Sequence, residues 1–352
     1  MRIVRRAAGT ALLFAAYLLV ISPVGLVIRL FRDPLHRRPD SRLDTYWIST
    51  RTSTAPPRIT GIPHQGSPAR IRDDVRRFYN TLPFNYSERA SAQARAIRRS
   101  DPCAAYPPLV QELQHGGSVL DVGCGPGWLA NGIAFHHQQP AFGIDLSETA
   151  VTRARRVAEI LGNSATFAVA DLFQFHSDRQ YDIVTSTGVL HHTIDCMGGV
   201  RKIAMELVRP GGLFLLGLYH SGARTKFFDH FRHLAEDRGY TEDALFEEFA
   251  AMRRRGGAGG PTDRTFERSW FRDQLFHPHE SAHTLAEVYE TLSEANFAVE
   301  STSMNRFGPA PRLARSAADA DREFTALAGT ALAEGRYFPG FFVVAARSMA
   351  TQ

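Results

Sequence analysis

The stretch from Val119 to Trp128 reads VLDVGCGPGW, an apolar run closed by Asp121 and followed by glycine at every second position, Gly123, Gly125 and Gly127. An apolar run of this kind delivers the chain from a buried strand into a turn stripped of side chains. Glycine reaches left-handed backbone without strain and lets a ligand lie directly against main chain. A helix beginning behind such a turn presents free N–H groups that favour an anionic group. The pattern therefore predicts a strand, a ligand-binding turn and a helix within an α/β protein.

Two cofactor classes compete for the turn. The dinucleotide fingerprint G-x-G-x-x-G, counted from Gly123, requires its third glycine where Trp128 stands, and the glycine falls one place earlier. That spacing counts against a nicotinamide-linked oxidoreductase. The pattern LDVGCGPG instead resembles motif I of class I S-adenosylmethionine-dependent methyltransferases, in which an acid ends the first strand and G-x-G-x-G follows. Further segments resemble the same family in order: GIDLS with Asp145, VADLF with Asp171, YDIVTSTGVLHH and LVRPGGLFLLGLY.

The resemblance implies a Rossmann-like fold with a seven-stranded, mostly parallel sheet and an antiparallel last strand, with S-adenosylmethionine as cofactor. It places Asp121, Gly123, Cys124, Gly125 and Gly127 around the cofactor, with the Cys124 side chain only a small filler. Asp145 is expected to grip the ribose with Leu146 beside it. Asp171 faces the adenine amine, flanked by Ala170 and Leu172, and Thr187 and Val189 complete the set at the fourth strand. Two residues also have plainer readings: Asp121 as a cap of the turn and Asp171 as a helix N-cap.

The strand candidates SVLDV, AFGID, TFAVA, YDIVTS, LFLLGLY, FAVESTSM and FFVVAAR alternate with helical patterns, as a parallel sheet covered on both faces requires. One helix is well delimited by Ser147 as N-cap, Glu148 in its first turn and Gly162-Asn163 as stop. After Tyr219 the rhythm breaks into an aromatic and charged insertion, residues 221–285, read as a substrate-facing lid hinged by GGAGGP at 256–261. Leu245, Phe249 and Met252 within it have the spacing of ordinary helix core.

Methyl transfer from a sulfonium needs alignment and exclusion of water, and a base only where the nucleophile must lose a proton. His191 and His192 follow the fourth strand, at the sheet end where open α/β proteins bind ligands. Either ring is a candidate catalytic base, the alternative being support of the loop through main-chain hydrogen bonds. No acid-Pro-Pro-aromatic tetrapeptide or Pro-Cys pair of the nucleobase methylases follows that strand; TGVLHH looks like the small-molecule and quinone-biosynthesis branch. VRRFYNTLPFNY resembles the N-terminal element Phe-Tyr-x-x-x-Pro-Phe-Pro-x-Tyr of a bacterial subgroup, with Asn85 in place of the second proline. It offers Tyr79 and Tyr86 as a roof over cofactor or substrate, or as packing for the first helix. GLYHSGAR and HPHESAHTLAEV, similar to the same subgroup, add Tyr219, His279 and His283 to the substrate or lid set. His277, His279 and His283 with Glu280 invite a metal, but Pro278 breaks the spacing and Thr284 with Glu287 reads as a capping box, so no metal is assigned.

Residues 7–28 form a run of 22 uncharged, mostly apolar residues, enough helix to cross a hydrocarbon core of roughly 30 Å. Longer than a signal-peptide core and without a small-residue cleavage site, it reads as an N-terminal transmembrane helix within a membrane anchor at 1–42, either spanning or re-entrant. That stretch resembles the end of small SxtJ-like bacterial membrane proteins. Residues 43–74 read as a linker and 75–352 as the methyltransferase domain. Residues 1–42 carry eight arginines against Asp33 and Asp40, which leaves the remainder of the +5 chain near neutral and excludes a nucleic-acid surface on the folded part. The larger basic count follows the apolar run, favouring a cytosolic body on the inner membrane. Cys103, Cys124 and Cys196 form no CxxC pair, so no disulfide framework is expected. The expected activity is methyl transfer to a small-molecule or lipid-like acceptor; the alternatives are a non-catalytic membrane-anchored scaffold and the oxidoreductase. Oligomeric state is left open.

Overall fold

The computed structural model describes residues 59, 68–87, 89–256, 264–308 and 314–349. The expected anchor at 1–42, most of the linker and Gly257–Pro261 of the expected hinge lie outside the described residues. Among the described residues no helix is long and apolar enough to cross a membrane.

Seven strands form one sheet: β1 Val119–Val122, β2 Ala141–Asp145, β3 Thr166–Val169, β4 Tyr181–Thr187, β5 Val208–Tyr219, β6 Phe297–Thr302 and β7 Phe341–Ser348, in the order β3-β2-β1-β4-β5-β7-β6. Only β7 runs against its neighbours β5 and β6, as expected. Each strand falls on one of the apolar runs marked in the sequence. β1 is buried at all four positions because helices cover both faces, so it reads as a continuous apolar run, not an alternating one. Strand order reverses between β1 and β4, and the crevice at their carboxyl ends is where ligands bind in open sheets.

The helices are α1 Pro68–Thr81, α2 Ala90–Arg99, α3 Pro107–Leu113, α4 Trp128–Gly132, α5 Glu148–Leu161, α6 Cys196–Lys202, α7 Ser221–Arg232, α8 Glu242–Arg255, α9 Arg264–Phe276, α10 Leu285–Glu294 and α11 Ala314–Ala333. α1 begins inside the segment read as linker, so the fold starts before residue 75. That segment lacks an apolar period up to Ser67, but Ile71 and Val75, four residues apart, are buried. α5 has the predicted limits, with Ser147 Oγ accepting from the Ala150 N–H and Gly162 ending the helix in the left-handed region.

Two apolar clusters sandwich the sheet. One packs Leu120, Val184, Phe214 and Leu216 against α6, α10 and α11; the other packs Val119, Ile183, Leu213 and Leu215 against α3, α4 and α5. A Leu or Phe side chain taken fully out of water contributes about 1.5–3 kcal/mol, so these layers hold the β1–β4 crevice rigidly in place. The insertion has a third cluster, built on Phe227, Phe231, Leu245, Phe246, Phe249, Met252 and Phe271 from α7, α8 and α9. Leu245, Phe249 and Met252 are core, as their spacing indicated.

Candidate active site

The glycine turn leaves β1 with φ of 72° at Gly123, 52° at Gly125 and 79° at Gly127. All three angles lie in the left-handed region, which explains the residue type. The three positions differ in what faces them. A Cβ at Gly123 would stand 2.3 Å from the Val189 side chain, and one at Gly127 would stand 2.7 Å from Ala154, so both glycines serve packing. A Cβ at Gly125 would meet nothing within 4 Å: here bare main chain faces open space.

Asp145 closes the turn from the end of β2. Its Oδ2 accepts from the Gly125 N–H at 2.8 Å and its Oδ1 from the Ser147 N–H at 2.8 Å. Burial raises its proton affinity and these two N–H groups oppose the rise. Two bonds leave an ionised carboxylate with acceptor capacity for two hydroxyls. Asp121 is occupied differently. It is buried, accepts from Thr185 Oγ1 at 2.8 Å and from the Ala130 main chain, and is pushed up to about 6 by burial. These bonds give Asp121 the turn-capping role that the sequence left as its plainer reading. The Cys124 side chain packs under Gly143 and its thiol is held well above its ordinary range by burial, which fits a filler. Gln93 from α2 donates to the Pro126 carbonyl at 2.9 Å and clamps the turn from outside.

Beside the turn a cleft of about 460 Å³ is lined by Asp73, Arg76, Arg77 and Asn80 of α1 and by Leu146, Glu148, Val169, Ala170 and Asp171 at the ends of β2 and β3. Three predicted residues, Leu146, Ala170 and Asp171, meet there. The Leu172 side chain is buried in the core instead, which leaves only its main chain available to a ligand. Asp171 caps its own turn through the Phe173 N–H at 3.0 Å and pairs with Arg72 at 3.3 Å. The α1 wall was not read from the sequence, although the polar set at 73, 76, 77 and 80 repeats with helical spacing. Thr187 ends β4, where it hydrogen-bonds Tyr106, and Val189 leans over Gly123.

The other side of the crevice is assembled from distant segments. His191 and His192 follow β4 in a short turn and are buried, at 0% and 3% exposure. Desolvation lowers His192 to about 3 and His191 well below the ordinary histidine range, so both rings are neutral near pH 7. Such rings are weak bases, and His192 Nδ1 bonds the His279 carbonyl at 3.0 Å, the geometry of the loop-supporting alternative. Tyr79 donates to Asp273 Oδ1 at 2.8 Å and packs edge-on to His192, with ring centres 6.1 Å apart. Tyr86 lies instead under the Arg153 guanidinium at 4.0 Å and so packs α1's following loop onto α5. Tyr219 is buried beneath the Arg224 guanidinium at 3.9 Å and accepts from Gln274. His279 reaches the Thr193 carbonyl at 3.0 Å, and His283 bonds Ser281 at 2.8 Å and Glu287 at 3.0 Å. His279 thereby ties the loop after α9 to the loop after β4, while the His283 ring braces the start of α10. Thr284 caps α10 as predicted, but the Glu287 side chain completes no box, being turned to His283.

Sequence reasoning missed Asp273 and Arg224. Arg224 is 1% exposed and pairs with Glu280 through both carboxylate oxygens, at 2.6 and 2.8 Å. Asp273 is raised to about 7 by burial, with the Glu280 charge adding to the rise and the Tyr79 hydrogen bond opposing it. Asn85 also proves informative: its φ is 56°, a conformation closed to the proline it replaces, and its carbonyl accepts from Trp128 Nε1 at 2.8 Å.

Residues 119–212 match a family model described as a methyltransferase domain. Over 133 residues the chain is 32% identical to the 27-O-demethylrifamycin SV methyltransferase of Amycolatopsis mediterranei, a match covering 37% of this chain and 47% of that one. Over 98 residues it is 34% identical to a ubiquinone biosynthesis O-methyltransferase of Coxiella burnetii, covering 28% and 41%. The matched stretch thus spans less than half the length of either relative. A solved S-adenosylmethionine-dependent methyltransferase of Mesorhizobium loti aligns with a TM-score of 0.42 at 24% identity over 70% of this chain and 99% of that one. What the comparisons show is a likeness to methyltransferases that is carried by residues 119–212.

Proposed function

We propose that this protein moves the methyl group of S-adenosylmethionine onto a small-molecule acceptor seated between the glycine turn and the buried His191, His192 and Tyr79 cluster. The observation that carries the reading is the open main chain at Gly125 held against the Asp145 carboxylate. Asp145 would accept from the ribose hydroxyls and the cleft under α1 would take the adenine. In the transfer, an acceptor lone pair forms the bond to the methyl carbon as the carbon–sulfur bond breaks, and the pair goes to sulfur. The domain's work is to hold the three atoms in line and exclude water. The two relatives are named as methyltransferases of a rifamycin and of ubiquinone biosynthesis, one of them an O-methyltransferase, which favours a hydroxyl on a cyclic acceptor. The apolar run at 7–28 supports a lipid-like acceptor met at the cytosolic face of the inner membrane, with the run as anchor.

Calorimetry tests the core of this reading. Wild type is expected to bind S-adenosylmethionine and not NAD, and Asp145→Ala to weaken that binding at least tenfold, about 1.4 kcal/mol. Tight NAD binding would overturn the reading. Binding of the methyl donor with no transfer of labelled methyl to any component of a cell extract would favour the scaffold.

A further inference from the structure

We propose that His192, Asp273 and His277 form a binding site for one divalent transition-metal ion of the zinc type, fastening the inserted helices to the loop after β4. The two imidazoles and the carboxylate each offer one donor atom, and the three atoms lie within 4.8 Å of one another. All three residues are buried, at 3%, 4% and 1% exposure. Surface acidic clusters are common without an ion, but a dry group of two histidines and a carboxylate is a different chemical object.

The hydrogen bonds around His192 orient it as a coordination site requires. One main-chain carbonyl, that of His279, lies 3.0 Å from His192 Nδ1 and 2.5 Å from His277 Nδ1. A carbonyl oxygen can only accept, so His192 Nδ1 carries its hydrogen and that ring keeps the lone pair on Nε2, whereas His277 Nδ1 also meets the His279 N–H, at 3.1 Å. A metal-bound histidine is held as His192 is, the second ring nitrogen donating to a carbonyl or carboxylate. The rings lie together, 3.6 Å between centres and 29° between planes, so the shared carbonyl sets them in a common orientation. His192 Nε2 makes no hydrogen bond although it is fully buried, and it points toward Asp273 Oδ1 at 3.9 Å. An unsatisfied buried acceptor costs about 1–3 kcal/mol, which an ion between ring and carboxylate would remove.

Donor atoms at about 2.0–2.1 Å from a tetrahedral ion stand about 3.3 Å from one another, so the two stacked rings must turn apart for both Nε2 atoms to reach one ion. The Tyr79 hydroxyl donates to the same Asp273 oxygen at 2.8 Å and holds that carboxylate facing His192. Arg224, the nearby cation, is neutralised by Glu280 and does not oppose a second positive charge unscreened. The ligands come from the end of β4, from α9 and from the loop after it, so the ion would set the floor of the acceptor seat. His279 and His283, which the sequence spacing suggested, turn to other partners.

The test uses full-length protein treated with chelator and then titrated with cobalt(II), with S-adenosylmethionine absent. The expected result is one equivalent bound with the visible absorption of a low-coordinate cobalt ion, displaced by zinc. Asp273→Asn and His277→Ala should each weaken binding by ~100-fold, comparable with losses seen on disturbing metal sites. His283→Ala should leave it unchanged. Wild-type protein that stays folded yet takes up neither cobalt nor zinc overturns the proposal, as does an undiminished cobalt spectrum in both variants. Should those variants fail to fold, the wild-type titration alone decides. Failure of cofactor binding would count against the proposed function and leave this result standing.

Discussion

The two sides of the crevice are built by different means. On the side proposed for the cofactor, the contacts around the turn are main chain: a run of glycines, two N–H groups on Asp145 and a strand end. On the side proposed for the acceptor they are side chains brought from α1, the turn after β4, α7 and α9, with Arg224, Asp273 and Glu280 buried among aromatic rings. Main chain tolerates sequence drift around it, whereas a buried charge is held only while every partner stays. The acceptor side should therefore be both the more specific and the more fragile.

The largest expected effect follows directly. Arg224→Ala leaves Glu280 charged and buried without its partner, which costs about 3–5 kcal/mol. Urea unfolding should show that loss, together with early release of the aromatic cluster around Phe227 and Phe231. The double variant Arg224→Met, Glu280→Leu should recover most of it, because replacing both charges by apolar groups removes the desolvation cost along with the attraction. A double variant as unstable as the single one would show that the pair is positioning the insertion through Gln274 and Pro339 and not through charge.

The turn yields the next effect, and it separates packing from binding. Gly125→Ala places a methyl in empty space, so the protein loses only the left-handed backbone cost of about 1–2 kcal/mol. Its affinity for S-adenosylmethionine should fall by about 100-fold, or ~2.7 kcal/mol, because the methyl occupies the ligand's place. Gly123→Ala should reverse that balance: Val189 must move, stability falls further, and cofactor affinity follows the loss of fold. Equal affinities for wild type and Gly125→Ala would remove the turn from the binding site.

These contrasts explain what could be read in advance. All seven strands and the limits of α5 were legible because apolar runs, Ser147 and Gly162 act through local backbone preference. The glycine turn proposed to bind the cofactor was legible because its residues are contiguous in the chain. Asp273 was not, since RDQLF reads as an ordinary polar helix face, and only the packing of α9 under Tyr79 takes it out of water. His277 was noticed in company with His279 and His283, its neighbours in sequence, while its neighbour in space is His192, stacked at 3.6 Å. Asn85 marks the same limit from the other direction: a departure from the motif is visible in sequence, but its left-handed φ of 56° is not.

A third effect, of about 3 kcal/mol across the full pH window, distinguishes the two central acids beside the glycine turn. Asp121 is raised to about 6 when folded, against an ordinary value of 3.8. Between those values the folded state holds more protons than the unfolded one, so stability declines as pH rises through the window and is lowest above it. Asp121→Asn keeps an acceptor for Thr185 and the Ala130 N–H while removing the charge. Thermal melts should show the decline between pH 4 and 7 flattened in that variant. An unchanged pH profile would mean that Asp121 is better solvated than its 3% exposure implies.

The smallest effect tests the wall that the sequence reading left out. Arg72 pairs with Asp171 at 3.3 Å but is 43% exposed, and such pairs contribute about 0–1 kcal/mol. Arg72→Ala should therefore barely move the melting temperature. If Asp171 meets the adenine amine, removing Arg72 frees an acceptor oxygen, and affinity for S-adenosylmethionine should rise by less than ~threefold at low salt. The gain should disappear in salt strong enough to shrink the Debye length to about 3 Å, because it is a screened surface term. A tenfold loss of affinity instead would place the α1 wall among the main determinants of binding, and would make the cofactor side depend on side chains as the acceptor side does.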